Sequence, residues 1–388
     1  MITRRKFMSA GVQIVGGVAT ASAAGALAAC THAVHPPPAP VLTADHAITG
    51  QGSLKAHAAA RGLLAGAAVN TRLLRSDANY ARVLREQYSI LVAENVMKWG
   101  PLRPAPDKYS FEEADALVAF AEQNHIKMRG HNLLWHEALP HWFESTVNKD
   151  NAERFLTDHI ATVAGRYKGK IHSWDVVNEA IQVKDGRPDG LRKSPWLELL
   201  GPKYMDIAFR TARQADPDAL LTYNDYGVEY DNEEDGRKRE SILQLLRRMK
   251  ADNVPLDALG IQSHIRAGFS SSFGKGIQDY IAGARALGLQ VFLTELDVNG
   301  DDLPYGDVAQ CDHAIAEVYR SYLDTVLPDP AVKSVVTWGV TDRYTWLNSP
   351  TYRKKQPNRP QRPLPFDDNY QPTEAFFAMR DCFDRRPV

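Results

Sequence analysis

Glu179, in the run WDVVNEA, and Glu295, in TELDV, are the residues whose setting points most directly to chemistry. Asn178 precedes the first, Asp297 follows the second, and the run GIQSH supplies Gln262 and His264. Cleavage of a glycosidic bond needs two carboxyl groups facing that bond, one protonated and one ionised. An anionic neighbour raises the pKa of the acid, because two like charges resist coexisting. Gln262 and His264 are placed to hold the second carboxyl ionised by donating hydrogen bonds to it, with Asp297 fixing the tautomer of His264. A single Glu is more often a surface or ion-paired group. Two acidic strand ends flanked by Asn178 and His264 form a more specific pattern. Metal ligation fits less well: no HExxH spacing is present, and Asn, Gln and Trp companions suit sugar hydroxyls better, so no metal and no other cofactor are expected.

Such a pair has to be positioned by a scaffold, and the chain announces one. Short apolar runs at 63–70, 89–96, 127–135, 171–180, 219–226, 257–264, 290–298 and 332–340 alternate with helical periodicity at 111–124, 152–167, 203–215, 235–251, 276–287, 308–327 and 374–384. Eight strand signals with helices between them mean βαβ units and a parallel sheet, which predicts an α/β chain closed into a (β/α)8 TIM barrel. A doubly wound open sheet is disfavoured, since no GxGxxG or GxxxxGK[ST] follows an early strand. Polar residues collect at the ends of seven strand signals: Glu94 and Asn95, His131 and His136, Asn178 and Glu179, Asn224 and Asp225, Gln262 and His264, Glu295 and Asp297, Trp338 and Asp342. In a barrel these converge on one mouth.

The 388 residues carry a net charge of −1, which gives no bias toward nucleic acid. Three Cys without CxxC spacing argue against zinc or redox motifs. Residues 1–30 read as an export signal: Arg4 and Arg5 in TRRKFM resemble a twin-arginine signal, and Leu27-Ala28-Ala29-Cys30 resembles a lipobox. Gly and Ala dominate the apolar run, so a lipid on Cys30 is expected as the only membrane attachment. Loss of residues 1–29 takes the net charge from −1 to −4, because the segment holds three positive and no negative side chains. Residues 31–45, with Pro36-Pro37-Pro38 and Pro40, read as a stiff tether, and 46–388 as the barrel. The implied location is the periplasm or outer membrane after twin-arginine export. The barrel is expected to be a monomer. Whether Cys311 and Cys382 pair is open, since their helical segments are neighbours around a barrel.

The segments ENVMKW (94–99), RGHNLLWH (129–136), WDVVNEA (174–180), AFRTARQADPDALLTYNDY (208–226), GIQSH (260–264), TELDV (294–298) and TWGVTD (337–342) resemble, in order and spacing, the family 10 glycoside hydrolases, the endo-β-1,4-xylanases. The resemblance runs from about residue 63 to 380. It implies a retaining enzyme acting on xylan and xylo-oligosaccharides, with Glu179 as acid/base and Glu295 as nucleophile. Asn178 would bond the sugar 2-hydroxyl, and His264 and Asp297 would orient the nucleophile. Glu94, Asn95 and Lys98 match glycone-side contacts. His131, Trp135 and His136 match the wall of the central subsite, and Trp338 and Trp346 the aromatic pair over its sugar. Tyr226 matches an aromatic on the leaving-group side, while Trp174 is read as core.

The chain departs from the family pattern at Glu137 and Ala138, at Gly227, and at Pro365 and Glu374. Ala138 removes a sugar-facing amide and Glu137 adds a carboxylate. Alternatives are a retaining barrel hydrolase for another β-1,4-glycan, a cellulase or mannanase, and a non-catalytic surface glycan-binding barrel. ENVMKW and RGHNLLWH favour xylose units, which lack a C6 hydroxymethyl group. Both carboxylates are present, against the non-catalytic reading. In the stretch 352–363, Arg353, Lys354, Lys355, Arg359 and Arg362 stand against an acidic background, either as a solvated loop or as a reader of acidic xylan branches.

Overall fold

The structure, a computed structural model, describes residues 47–304, 306–350, 352 and 359–387. The export signal, Cys30, the tether and Arg353, Lys354 and Lys355 lie outside the described residues. The strands are β1 (Leu64–Val69), β2 (Ile90–Ala93), β3 (Lys127–His131), β4 (Ser173–Asn178), β5 (Leu220–Asp225), β6 (Ala258–Ile261), β7 (His264–Arg266), β8 (Gln290–Asn299) and β9 (Val332–Thr337). All pair in parallel, from β1 through β6 to β8 and β9, and β9 returns to β1. The result is the closed eight-stranded barrel expected from the sequence, with β7 continuing β6 after Gln262 and Ser263.

That continuation matters for the site. β8 is ten residues long; its first half pairs with β6 and its second with β7, in a register that sets His264 against Asp297. The strands are buried along almost their whole length, as parallel strands covered on both faces must be. Gly130 in β3 is fixed by packing: a Cβ there would meet the Trp174 ring at 2.0 Å. Trp174 is fully buried, with its indole N–H on Asp216 at 3.2 Å, as its core reading required.

Each helical segment expected from periodicity is present to within two residues, among them Ala152–Arg166, Glu233–Ala251 and Val308–Val326. Short helices not anticipated include Thr71–Ser76 and Ala78–Gln87, capped by the side chains of Asn70 and Asp77. Those caps were the available signal. Cys311 and Cys382 are both buried, and they are not joined to each other.

Behind the β3 loop lies an aromatic cluster of Trp99, Phe143, Trp196 and His159. Trp99 donates to the carbonyl of Leu133 at 2.7 Å and Trp196 to that of Trp135 at 3.1 Å, so the core grips the loop that carries Trp135. The His159 ring centroid is 4.0 Å from that of Trp99, and neither ring nitrogen has a hydrogen-bond partner among the described residues. Burial, then the nearby charge of Arg103, pushes its pKa well below the ordinary value, so the folded state holds it neutral. A His pKa depressed by folding leaves stability whole above about pH 6.5 and erodes it as pH falls, by at most about 1.4 kcal/mol per pH unit. His159→Phe should therefore flatten the decline of Tm below about pH 6.5, read from thermal unfolding scans of both proteins across a pH series.

Candidate active site

The C-terminal ends of the strands open into a cleft of about 620 Å³. Glu94, Asn95, Lys98, His131, Trp135, Asn178, Glu179, Tyr226, Gln262, His264, Glu295, Trp338 and Trp346 line it, so the strand-end residues converge as the barrel geometry demands. Asp297 lies behind His264, almost fully buried. His136 does not line the cleft as expected. It stands edge-on behind Trp135, with ring centroids 5.7 Å apart, and burial followed by the charge of Arg192 pushes its pKa down to about 4.

Glu295 sits on β8 with 5 % of its surface exposed. Its Oε1 accepts from Asn224 Nδ2 at 2.8 Å, and His264 Nε2 lies 3.2 Å from Oε2. His264 Nδ1 is 2.9 Å from Asp297 Oδ1, and the other oxygen of Asp297 accepts from Trp346 Nε1 at 2.6 Å. A chain of polar contacts thus runs from the loop after β9 through β8 and β7 to Glu295. Burial alone would raise the Glu295 pKa. The His264 hydrogen bond, the charges of His131 and His264 and the Asn224 bond outweigh it, so the carboxyl is held below its ordinary value. Burial would likewise depress His264. Its charge attraction to Asp297 and its bonds to Asp297 and Glu295 prevail, and its pKa stands well above the ordinary value.

Glu179 follows the last residue of β4 and shows the opposite shift. Burial is the largest cause of its raised pKa, and the charges of Asp225 and Glu295 add to it, against the hydrogen bond from Gln262. The anionic neighbour Glu295 raises it as expected, and desolvation is the larger cause. The expectation for Gln262 is corrected. Its Nε2 donates to Glu179 Oε1 at 3.0 Å, and the neutral donor to Glu295 is Asn224 instead. Asn224 is locked by Thr294 Oγ1, which donates to its Oδ1 at 2.7 Å, while its Nδ2 also reaches Asn178 Oδ1 at 2.9 Å. The Asn178 oxygen is therefore occupied, and its Nδ2 faces Glu179 Oε1 at 3.2 Å. That amide N–H is the group the 2-hydroxyl reading requires.

On one side of the cleft Asn95 donates to Glu94 at 3.1 Å and Lys98 to Asn95 at 3.0 Å. Lys98 Nζ lies 5.1 Å from the Trp135 ring centroid and 5.9 Å from that of Trp338. Burial lowers the Lys98 pKa against the pull of Glu295, Glu94, Glu179 and Glu137, and burial raises that of Glu94 against Lys98 and Asn95. His131 is held by Asp175 at 3.0 Å, itself paired with Arg129, and meets Trp338 edge-on at 5.4 Å. Trp338 packs on a small apolar cluster of Ala68, Ile90, Val92 and Val336.

Sequence reasoning placed Asn224 at the mouth without giving it a role, and it missed Asp175, although both occupy strand positions within the runs already singled out. It also missed Tyr352, which lines the cleft and stands edge-on to Trp346 at 4.2 Å, and Arg192 beside Glu179. Glu137, the added carboxylate, does line the cleft. Arg359 and Arg362 are engaged elsewhere. Arg359 donates to the carbonyl of Gly300, and Arg362 pairs with Asp312 at 2.5 Å, so neither guanidinium is available as a free reader of acidic branches. Among the described residues no cluster of three or more His, Cys, Asp or Glu could hold a metal ion.

Residues 53–382 match the family model "Glycosyl hydrolase family 10". The chain is 35% identical to endo-1,4-beta-xylanase B of Thermotoga neapolitana over 310 residues, covering 79% of this chain and 84% of that protein. Its fold is similar to native xylanase 10B of Thermotoga maritima, with a TM-score of 0.76 at 34% identity over 86% of this chain and 98% of that one. Xylanase 10B of Thermotoga petrophila RKU-1, solved in complex with xylobiose, gives 0.76 at 33% identity over 86% of this chain and 97% of that one.

Removing the neutral donor should move the Glu295 carboxyl in a known direction. Asn224→Ala deletes a hydrogen bond to the ionised form, so Glu295 should titrate at higher pH than in the parent. ¹³C NMR of Glu-labelled protein reads this directly, and an unchanged or lowered titration point would contradict the assignment of Asn224 as donor.

Proposed function

The chain belongs to glycosyl hydrolase family 10, and we propose that it is a retaining endo-1,4-β-xylanase with Glu295 as nucleophile and Glu179 as acid/base. One observation carries the assignment of roles: two carboxyls in one cleft have pKa values displaced in opposite directions, Glu295 down and Glu179 up. Environments that push a pair apart assign the acid and the base. Glu179 gives its proton to the leaving oxygen while Glu295 attacks the anomeric carbon, forming a glycosyl-enzyme ester. Glu179, now ionised, takes a proton from water as that water displaces Glu295. The protonated His264 keeps Glu295 anionic before attack, and the Asn178 amide N–H bonds the 2-hydroxyl. Glu94, Asn95 and Lys98 grip the glycone. His131, Trp135, Trp338 and Trp346 enclose the central sugar, and Tyr226 meets the aglycone.

The substrate test is sugar release from xylan beside cellulose and mannan, with the anomer of the first-formed product read by NMR. The β-anomer from xylan is expected, and an α-anomer would overturn the double displacement. Glu295→Ala should abolish turnover, with azide restoring it as the α-glycosyl azide. Glu179→Ala should slow xylan hydrolysis by about 10²- to 10⁴-fold yet spare aryl xylobiosides with good leaving groups.

We further propose that the protein is exported by the twin-arginine route and anchored in the periplasm or outer membrane through a lipid on Cys30, with residues 31–45 as tether. The reading is supported by Arg4-Arg5 and by the Leu27-Ala28-Ala29-Cys30 motif. No helix among the described residues is long and apolar enough to cross a membrane. The exposed large hydrophobics there, Val308, Tyr344 and Tyr352, are too few to form an extensive patch, in keeping with a monomer. Native protein should partition into the detergent phase of Triton X-114. Cys30→Ser should move it to the aqueous phase, where it should sediment as a monomer. A mature N-terminus other than an acylated Cys30 would refute the anchor.

A further inference from the structure

Arg192 lies on the loop that leaves Glu179 and returns beside it through the bridge of Ile181 with Leu191. Its side chain is 11 % exposed. Nε donates to the main-chain carbonyl of Glu179 at 2.6 Å, and Nη2 donates to the Tyr226 hydroxyl at 3.1 Å. The same Nη2 stands 3.9 Å from Glu179 Oε2. One planar guanidinium therefore touches the backbone of one cleft residue, approaches its carboxyl, and holds the ring of another.

Both of those residues need holding. Glu179 has φ +59°, in the left-handed region that a side-chain-bearing residue occupies only when its surroundings enforce it. Its N–H donates to the carbonyl of Asn224 at 2.8 Å, and Arg192 secures the carbonyl on its other side. Lys238 fixes the Tyr226 ring, with Nζ 3.9 Å from the centroid and 2.7 Å from Asp225 Oδ1. The Tyr226 hydroxyl then points at Arg192, with Gln182 Nε2 more distant at 3.5 Å. A lysine in place of Arg192 would supply a single point of attachment, whereas the guanidinium fork reaches both groups at once.

We propose that Arg192 is a positioning residue that ties Tyr226, on the leaving-group side, to the acid/base Glu179, so that aglycone binding and proton delivery are coupled through one side chain. The inference rests on the roles given above to Glu179 and Tyr226. In the first step the O–H bond of Glu179 breaks as its proton passes to the departing oxygen, and the carboxylate left behind faces the guanidinium. In the second step the same carboxylate takes a proton from water. The charged groups around Glu179 are Asp225, Glu295, Lys98 and Arg192, and Arg192 is the cation whose loss also frees the aglycone-side ring.

The test compares xylan with 2,4-dinitrophenyl β-xylobioside, whose leaving phenolate needs no proton. Arg192→Met should lower kcat/KM on xylan by about 10- to 100-fold and on the aryl substrate by less than about 3-fold. It should also move the alkaline limb of the xylan pH profile upward, since a cation beside the carboxyl is gone. Tyr226→Phe keeps the ring and removes only the hydroxyl. It should reproduce part of the selective loss, and the double variant should lose less than the two single effects combined. Equal loss on both substrates in Arg192→Met, or additive effects in the double variant, would overturn the coupling. A Glu179→Ala control separates the two readings. If it is itself unselective, the acid/base assignment falls and this proposal with it. If it is selective and Arg192→Met is not, this proposal alone falls.

Discussion

A carboxylate buried at the bottom of the cleft is the constraint around which the rest of the site is arranged. Glu295 is 5 % exposed, and an isolated ion at such a depth would take up a proton rather than stay charged. It stays ionised because a cationic imidazole and an amide N–H each meet one of its oxygens. The imidazole in turn needs Asp297, and Asp297 needs the indole of Trp346. Each member satisfies the polar group the previous one leaves open, which is the condition for a buried network to be tolerated at all. These partners come from β5, β7, β8 and the loop after β9, so the closed barrel is what gathers them.

The same mouth gives Glu179 the opposite answer. Its nearest donors are neutral side-chain amides, Gln262 and Asn178, and the buried anions Asp225 and Glu295 lie close by. Neutral donors lessen the desolvation penalty without cancelling it, so the protonated form is favoured. The asymmetry of the pair thus follows from partner type: Glu295 has a protonated imidazole within hydrogen-bond reach, whereas Glu179 has neutral donors there and its nearest cation, Arg192, at 3.9 Å. Asn224 and Asn178 also link the two halves, since Asn224 bonds both Glu295 and Asn178, and Asn178 faces Glu179.

Behind these residues the support is apolar and dense. The indoles of Trp99 and Trp196 hold the carbonyls of Leu133 and Trp135, and Trp338 rests on side chains of β1, β2 and β9. Truncating a buried aromatic of this kind costs about 3–5 kcal/mol, so the wall of the cleft is held by core packing. Core packing and buried hydrogen bonds of this kind are what preorganisation of a site for its transition state requires.

Much of this was legible along the chain. The eight strands and the long helices follow from local periodicity, which depends only on which neighbours are apolar. The carboxylate pair, and the set of polar types at the strand ends, follow from position at the end of each run. What the chain could not reveal is direction in space. Gln262 and Asn224 are both amides on strand ends, and only the barrel's curvature decides that the first meets Glu179 and the second Glu295. His136 is adjacent to Trp135, yet it packs behind the indole. Arg359 and Arg362 read as free cations, until folding set them against Gly300 and Asp312. Arg192 sits in an aperiodic loop whose return path, through a single antiparallel bridge, is a tertiary fact. A residue's type limits which bonds it can make. The azimuth of its side chain about the barrel, set by strands far apart in the chain, decides which of them it does make.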